Sequence, residues 1–473
     1  MKNDCYHNRS VNQEESSLKV HRSRSVRRAK VIPDGKNLVS HAGAALLAEL
    51  ADRSGLTEAM SGAMEDCGIS WHTHDPGVVL THLAVAIADG ADCLADIAAL
   101  KEQEDLFGPV ASVATAWRAV HATAVFELRA IPLALATARA RVWAAEPPVG
   151  PMIWDFDSTL VNVSSEKEDA AATYKRGFGF NPLAVWCDNT NEPLGAMLRP
   201  GNAAPGNTYD HLELLEQVVR VVPPEYALGH EEDDDLALVV HPILVRADSA
   251  GASHRFVQSL SSANFDYSIG FPISGSVRNA LLLAQEEDWV RATELGGGIR
   301  EGAEVIELTE VCELKGWPEG MRVICRRERP HPGAQLSLFD TCAGWRHTCF
   351  ITNTGGDDIA ALELRHRGHA RVEDRVRCWK ACGLANLPFD GFCANEAWVA
   401  VSVIAGALLA WSQMMCFDSA LAKAEPKTMR YRVLHVAAVL VHRGRELIMR
   451  LDQTWPWASE LATAFARLRA AFP

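Results

Sequence analysis

The sequence lacks the cysteine spacing from which zinc sites and disulfide frameworks are usually built. Its 12 cysteines include no Cys-x2-Cys pair, and Cys378 and Cys382, four positions apart, have no second pair to complete a ligand set. Small secreted domains that depend on disulfides are much shorter and more regularly spaced. We therefore expect reduced cysteines that serve as packing residues in a cytosolic protein.

Long apolar runs are also missing. The longest, 397–411, is interrupted by Ser402 and Gly406 and is shorter than the roughly 20 residues that a bilayer span needs. The residues after Met1 are polar and then basic, unlike a secretory signal. The sequence predicts a buried helix at 397–411 and a cytoplasmic, nucleoid-associated protein.

The chain has no excess of positive charge. Its formal net charge is −14, whereas contacts with nucleic-acid phosphates require Lys and Arg. The charge is unevenly distributed, however, because an acidic run at 231–235 supplies much of the negative charge. Basic residues gather at 19–30, 365–380 and 423–450. The bland interpretation of these clusters is solvated helix faces, and the functional one is binding to DNA.

The sequence pattern changes several times along the chain. Leu and Ala at helical spacing indicate a helical region, in which 111–118 could begin either a DNA-reading helix or an ordinary packed one. Pro147, Pro148 and Gly150 then mark a boundary. We predict a basic flexible arm, a helical DNA-binding domain, an α/β catalytic core in two parts, a β insertion and C-terminal helices, at 1–37, 38–147, 148–273 with 354–416, 274–353 and 417–473.

The α/β part follows the order strand, strand, strand, helix, strand, helix, strand, which is expected of an RNase H-like core. The strands are predicted at 152–157, 183–187, 194–198, 236–245 and 267–272, with helices at 211–222 and 253–260. Alternating β-branched residues predict further strands at 305–311, 321–326 and 347–352. Later helices are predicted at 357–382, 394–416, 428–450 and 457–470.

Three acidic residues occupy positions where chemistry is expected. Asp157 ends the first strand, Asp248 ends a later apolar strand, and Glu373 lies in a late helix. Carboxylates at the ends of apolar strands are costly to bury without a cation. Together they would suit hard divalent ions, and two such ions can promote phosphodiester displacement. Structural interpretations are also open: either aspartate could cap a turn, and Glu373 could pair with Arg377.

These acids and the sequence around them resemble the DDE transposases of bacterial insertion sequences, within the RNase H-like superfamily (transposase DDE domain group 1). The similarity spans roughly 40–450 and includes the Asp, Asp, Glu order. The short motifs on which the similarity rests are 157–159 (Asp-Ser-Thr), 174–183 (Tyr-Lys-Arg-Gly-Phe-Gly-Phe-Asn-Pro-Leu), 198–202 (Leu-Arg-Pro-Gly-Asn), 246–249 (Arg-Ala-Asp-Ser) and 352–353 (Thr-Asn).

The resemblance implies a function and a set of roles. Asp157, Asp248 and Glu373 would bind two Mg²⁺ ions, for which Mn²⁺ can substitute, and catalyse cleavage and strand transfer. The partners would be double-stranded DNA, as terminal inverted repeats and target, and a second copy of the chain in a homodimer. An aromatic residue of the insertion, Trp317 or Trp345, would stack on a flipped base. The residues expected to contact DNA are Lys380, Arg371, Arg375, Arg367, His369 and Trp317.

The branch resembled carries a Tyr-x2-Arg-x3-Glu-x6-Lys signature around its third acid. Here Glu373 and Lys380 are present, but His366 and His369 replace the Tyr and the Arg. A histidine holds a phosphate well only while it is protonated. The departure leaves open a catalytically dead, transposase-derived DNA-binding protein.

A different enzyme class offers a further alternative. The segment 152–160, with Asp155, Asp157 and Thr159, also looks like the first motif of haloacid-dehalogenase-type phosphatases. Asp155 would then be the nucleophile and Asp157 the general acid. This alternative leaves Asp248 and Glu373 without a role.

Overall fold

The computed structural model shows a mixed α/β protein with one large sheet. It describes the following residues: 30–65, 67, 73–164, 166–173, 175–227, 242–330, 341–342, 344–444 and 446–473. Most of the arm predicted at 1–37, the acidic run and part of the strand predicted at 236–245 lie outside these residues.

The region 38–147 is helical, as predicted, apart from a short edge strand, β1 (Leu38–Val39). Helix α3 begins where Asp75 accepts a hydrogen bond from the Val78 amide, and it ends before Gly90, so both ends are capped. Ser112 caps α6 in the same way. The helices are α1 (Ala45–Arg53), α2 (Leu56–Ala63), α3 (Pro76–Asp89), α4 (Ala98–Lys101), α5 (Glu104–Phe107), α6 (Val113–Ala122) and α7 (Ala130–Ala145).

The next segment forms the centre of the sheet in the predicted order of elements. Strand β2 is antiparallel to β6 and parallel to β8, and β8 is parallel to β9. Three short strands after β2 form a separate small sheet, β3 (Val161–Asn162), β4 (Ala171–Ala172) and β5 (Phe178–Phe180). The central elements are β2 (Met152–Ser158), β6 (Leu183–Cys187), β7 (Pro193–Met197), α8 (Thr208–Val221), β8 (Ile243–Ala247), α9 (His254–Ser262) and β9 (Asp266–Phe271).

The segment 274–353 is rich in strands, as predicted, but it does not form a sheet of its own. After α10 (Gly275–Leu283), its strands continue the central sheet, because β14 pairs with β9. The sheet order is β10-β11-β12-β14-β9-β8-β2-β6-β7, with β13 beside β14. The added strands are β10 (Val290–Thr293), β11 (Ile299–Glu307), β12 (Arg322–Glu328), β13 (Thr341–Cys342) and β14 (Trp345–Thr352).

The C-terminal part is only partly helical, and the helix predicted at 428–450 is wrong. Residues 438–451 form an antiparallel hairpin in which Val439 pairs with Arg450 and also with Leu38 of β1. Gly444 adopts a left-handed conformation (φ 65°) at the turn, which reverses the chain. The elements are α11 (Ile359–Arg367), α12 (Arg371–Trp379), α13 (Phe392–Cys416), α14 (Pro426–Met429), β15 (Ala438–Arg443), β16 (Glu446–Leu451) and α15 (Ala458–Ala471).

Helix α13 is long and apolar enough to cross a membrane by length and composition, but most of it is buried inside the protein. It packs against α3, α15 and β7, as expected of a core helix. A buried carboxylate helps to fix it in place. Glu192 accepts hydrogen bonds from Trp411 Nε1 (2.9 Å), Trp143 Nε1 (2.7 Å) and Arg139 Nε (2.9 Å). The N-terminal helices, the sheet and α13 therefore share one core.

Candidate active site

Two of the predicted acids lie side by side at the edge of the central sheet. In the parallel pair of β2 and β8, Phe156 is opposite Ala247, so Asp157 and Asp248 follow in register. Adjacent strands are about 4.8 Å apart. Asp248 Oδ1 accepts a hydrogen bond from the Ala250 amide (2.9 Å), so it also caps a short turn, as the structural alternative predicted. The turn and the acid position are compatible, since the carboxylate remains exposed.

The third acid approaches from the helix that covers this edge. Helix α12 packs against β2, and Glu373 lies on its exposed side. Burial, together with the carboxylates of Asp248 and Glu373, raises the pKa of Asp157 to about 6 against the opposing effect of His369. The predicted pairing of Glu373 with Arg377 is wrong, because Arg377 contacts Asp374 (3.0 Å) and Glu425. The structure thus brings the three acids together.

Lys380 lies at the end of the same helix and faces the same site. Its Nζ donates a hydrogen bond to the Leu160 carbonyl (3.0 Å), just beyond β2. Partial burial lowers the pKa of Lys380, Lys175 lowers it further, and Asp157 opposes both. Lys380 therefore fixes the end of α12 over the strand that carries the first acid.

A second carboxylate on β2 has the opposite environment. Asp155 is fully buried and contacts two arginines and a histidine: Arg246 Nε at 2.7 Å, Arg375 Nη1 at 2.6 Å and His369 Nδ1 at 2.9 Å. Burial alone would raise the pKa of Asp155, but His369 and Arg246 hold it well below its usual range. Asp155 is therefore an ionised structural residue between the sheet and α12.

Asp188 extends this cluster from the turn after β6. It accepts hydrogen bonds from Arg246 (2.9 Å), from Arg375 and from Arg371 Nε (3.1 Å). The backbone packs closely against this cluster at Gly368. A Cβ atom added to Gly368 would lie only 2.5 Å from Arg246 Nη1. The cluster joins the sheet to α12 and so positions Glu373.

Several residues expected to contact DNA have internal partners instead. Arg375 is buried between Asp155 and Asp188, and His369 bonds to Asp155, so both are assigned a structural role. Arg367 donates to the Thr293 carbonyl in β10 (2.5 Å) and lies near Glu363. These three residues lie on α11, on the turn after it and on α12, where carboxylates and a carbonyl of the sheet take up N–H groups, and contact with DNA stays a prediction for each of them.

Arg371 differs from those three. Its side chain is 51% exposed, although it contacts Asp188. It lies one turn of α12 from Arg375 and two residues before Glu373. Of the residues predicted to contact DNA on this helix, Arg371 is the exposed one, whereas Arg375 is buried.

His366, the other departure from the signature, is a packing residue. Its ring stacks on Phe350 (centroids 4.4 Å apart), and its Nδ1 lies 3.0 Å from Ser268 Oγ. Burial lowers the pKa of His366 to about 3, so it is neutral near pH 7. The two histidines of the signature therefore have different roles: His366 packs, and His369 pairs with Asp155.

The two tryptophans of the insertion are also engaged. Trp317 stacks on His254 (4.0 Å between centroids) and meets Phe271 edge-on. Trp345 lies under the guanidinium groups of Arg327 (4.7 Å) and Arg329 (4.1 Å). Both rings remain partly exposed. Stacking on a DNA base by Trp317 would require it to leave or share its contact with His254.

The sequence analysis missed the partners that organise the site. The sequence pattern indicates no role for Asp188, and Arg246 and Lys175 stand only within motifs that carry the family resemblance. All three act through residues far away in the sequence, so spacing gave no signal for them. The one available signal was an arginine inside an otherwise apolar strand, since Arg246 cannot be buried without a carboxylate partner.

The phosphatase alternative does not agree with this geometry. A nucleophile must reach its substrate, but both oxygens of Asp155 are held by Arg246, Arg375 and His369, and the side chain is inaccessible. Asp157 belongs with Asp248 and Glu373 instead. The Asp-x-Asp motif therefore contains one structural carboxylate, Asp155, and one carboxylate of the candidate active site, Asp157.

The donor set of the site suits hard divalent cations. Three carboxylates with a raised pKa at Asp157 are an arrangement that a cation would stabilise. The ligand oxygens of the three acids do not all lie within 4.8 Å of one another. Among the described residues, the ligand atoms of another group, His41, Asp89 and His435, meet that limit. A wider spacing is suited to a pair of ions, which lie about 4 Å apart in two-metal sites.

Comparisons with known proteins identify the family of this chain. A search of curated proteins gave no match. Among solved structures, the chain is similar to the piggyBac transposase of a cryo-EM synaptic complex with hairpin DNA, at 10% identity and a TM-score of 0.37, over 83% of this chain and 77% of that one. The family model described as transposase DDE domain group 1 matches residues 21–472. Since that match covers nearly the whole chain, the protein belongs to the DDE-domain transposases of group 1.

Proposed function

We propose that this transposase cuts DNA at the terminal inverted repeats of its own bacterial insertion sequence and joins the ends to target DNA. The observation that carries the proposal is the register of β2 and β8, which places Asp157 beside Asp248 under the helix that bears Glu373. The sheet order β7-β6-β2-β8-β9, with β2 antiparallel to β6, supports an RNase H-like core.

The three acids would hold two Mg²⁺ ions, or Mn²⁺ in their place, which activate the attacking oxygen and stabilise the leaving oxygen of a phosphodiester. Water would be the first nucleophile and a DNA 3′-hydroxyl the second. Ionised Asp157, Asp248 and Glu373 would attract the ions, and the buried cluster around Asp155 would keep α12 at a fixed distance from β2.

Positively charged residues at the rim would position the DNA. Lys380 lies near the site and above β2, and Arg371 is exposed on the same helix. Each would neutralise a backbone phosphate and so set the register of the duplex without reading its sequence. The proposal includes a homodimer, because two ends of one element must be held together for joining.

The test is cleavage of a labelled duplex that carries the flanking terminal repeat, with MgCl₂ present. Glu373→Gln should abolish cutting and leave binding to the duplex intact, because only a charge on the metal-facing side is removed. Asp374→Asn is the matched control: it removes the neighbouring acid, which pairs with exposed Arg377, and should cut normally.

The outcomes separate the alternatives. Equal cutting by Glu373→Gln and the unchanged protein would refute the assignment of Glu373. Specific binding with no cutting by the unchanged protein would identify a catalytically dead, transposase-derived DNA-binding protein. His369→Arg would then be the first restoration of the signature to examine.

A further inference from the structure

A second group of metal-ligand side chains lies outside the transposase site. His41 Nδ1 is 2.5 Å from Asp89 Oδ2, and His435 Nε2 is 3.3 Å from Asp89 Oδ1. The ligand atoms of the three residues all lie within 4.8 Å of one another, and the two imidazole rings are 4.2 Å apart. Three segments that are distant in the sequence supply them: the turn after β1, the end of α3 and the turn before β15.

Asp89 is in a position where a bare carboxylate is costly. Its side chain is 4% exposed, and it is the last residue of α3, where the helix dipole already places partial negative charge. Its buried Oδ1 has only a long contact with His435 Nε2 (3.3 Å), because that nitrogen donates to the backbone carbonyl of Asp89 (2.8 Å). A cation between the two histidines and this oxygen would remove that deficit.

The nearest arginine does not supply the missing charge. The guanidinium of Arg430 donates to the carbonyls of Ala88 (2.9 Å), Ile87 (3.1 Å) and Ala381 (2.8 Å). It therefore satisfies the open carbonyls near the end of α3, and no hydrogen bond joins it to the carboxylate of Asp89 among the described residues. The carboxylate faces the histidines, whose rings are partly open to solvent.

We propose that His41, Asp89 and His435 bind one Zn²⁺ ion. Two imidazole nitrogens and one carboxylate oxygen are common zinc ligands, and the open side leaves a fourth, tetrahedral position for water. Two ligands of one zinc ion lie about 3.3 Å apart, as follows from metal–ligand distances near 2.1 Å. Binding therefore requires His41 Nδ1 and Asp89 Oδ2 to separate by less than one ångström.

The ion would act as a structural clamp. His41 is 48 residues from Asp89, and His435 is 346 residues from it. The clamp would attach the turn after β1 and the base of the C-terminal hairpin to α3, in the core of the protein. Since binding to a site built from distant segments is coupled to folding, zinc should raise the thermal stability.

The experiment measures zinc directly on the full chain, purified without a histidine tag. The protein is treated with EDTA, incubated with ZnCl₂, passed through a desalting column and analysed for bound metal and for its melting temperature. We expect about one Zn²⁺ per chain and a higher melting temperature. His41→Ala and His435→Ala should each lose the zinc, whereas His442→Ala, which changes an exposed histidine of the same hairpin, should keep it.

Two further measurements distinguish this site from other sites on the protein that could bind zinc. The double variant Asp157→Asn/Asp248→Asn should still bind one Zn²⁺, which separates this site from the transposase site. The Co²⁺-substituted protein should lack a thiolate-to-cobalt charge-transfer band, which excludes cysteine ligands. Circular dichroism of His41→Ala shows whether loss of zinc follows from unfolding. No bound zinc in the unchanged protein, or equal zinc in a folded His41→Ala variant, would overturn the proposal.

Discussion

Two carboxylates on one strand, two residues apart, have opposite environments. Asp155 and Asp157 point to the same face of β2, since side chains alternate along a strand. Asp155 lies among Arg246, Arg375 and His369, and its pKa is held low. Asp157 lies with Asp248 and Glu373, and its pKa is raised to about 6. The same residue type thus joins the sheet to α12 at one position and belongs to the candidate active site two residues later.

The difference shows how the protein places charge. Arg371 and Arg375 of α12, with Arg246 of β8, pair with Asp155 and Asp188, whereas among the described residues no ion pair neutralises the acids at the edge of the sheet. A net charge of −14 is therefore compatible with a DNA enzyme, because the local distribution at the site decides what binds there. Each prediction below alters one side of this contrast.

The largest effect is expected from Asp155→Asn. The substitution leaves Arg246 and Arg375 buried with Asp188 as their one remaining carboxylate partner among the described residues, and removing one partner from a buried ion pair typically costs about 3–5 kcal/mol. We expect a loss of that size in the free energy of unfolding, measured by urea denaturation. Asp157→Asn should not lose stability, because it removes a repulsive charge. Equal destabilisation by the two variants would contradict the contrast.

A smaller effect, dependent on pH, is expected at Asp157. Its raised pKa means that between the ordinary value of 3.8 and about 6 the folded chain binds more protons than the unfolded chain, so ionisation costs stability as pH rises through this window. Ion binding needs the ionised form. Millimolar MgCl₂ or MnCl₂ should raise the melting temperature at about pH 7.5 and lose this effect towards about pH 5. A shift that persists unchanged in Asp157→Asn would place the ion elsewhere.

The smallest effect on folding is expected from Arg371→Ala. Arg371 is half exposed and its partner Asp188 keeps two other arginines, so loss of this partly solvent-screened pair should cost no more than about 1 kcal/mol. The variant should instead bind the terminal-repeat duplex more weakly, with a slope of log affinity against log salt reduced by about 1. Arg375→Ala is the contrasting variant, because it should unfold more easily. An unchanged slope for Arg371→Ala would place this residue away from the DNA.

Sequence patterns predicted the elements of the site better than its partners. Asp157 and Asp248 were found because each ends an apolar strand, a property of a few neighbouring residues. The buried ion pair of Arg375 with Asp155 could not be predicted in this way. Asp155 lies 220 residues away in the sequence, and only the fold brings the two side chains together. The helix predicted at 428–450 rests on basic residues that are typical of a solvated helix face. The structure has a hairpin at 438–451 instead, because Gly444 turns the chain and Val439 pairs with Leu38 of β1.

The continuity of the sheet has a mechanical consequence. Strands β10, β11, β12 and β14 are hydrogen-bonded through β9 to the strand that precedes Asp248, so the insertion forms one stiff body with the catalytic edge. A lid that swings closed needs a hinge, and a ladder of paired strands provides none between these parts. On the proposed function, DNA would settle onto a surface whose shape is already set, which would limit the reorganisation that accompanies association and leave bending to the nucleic acid.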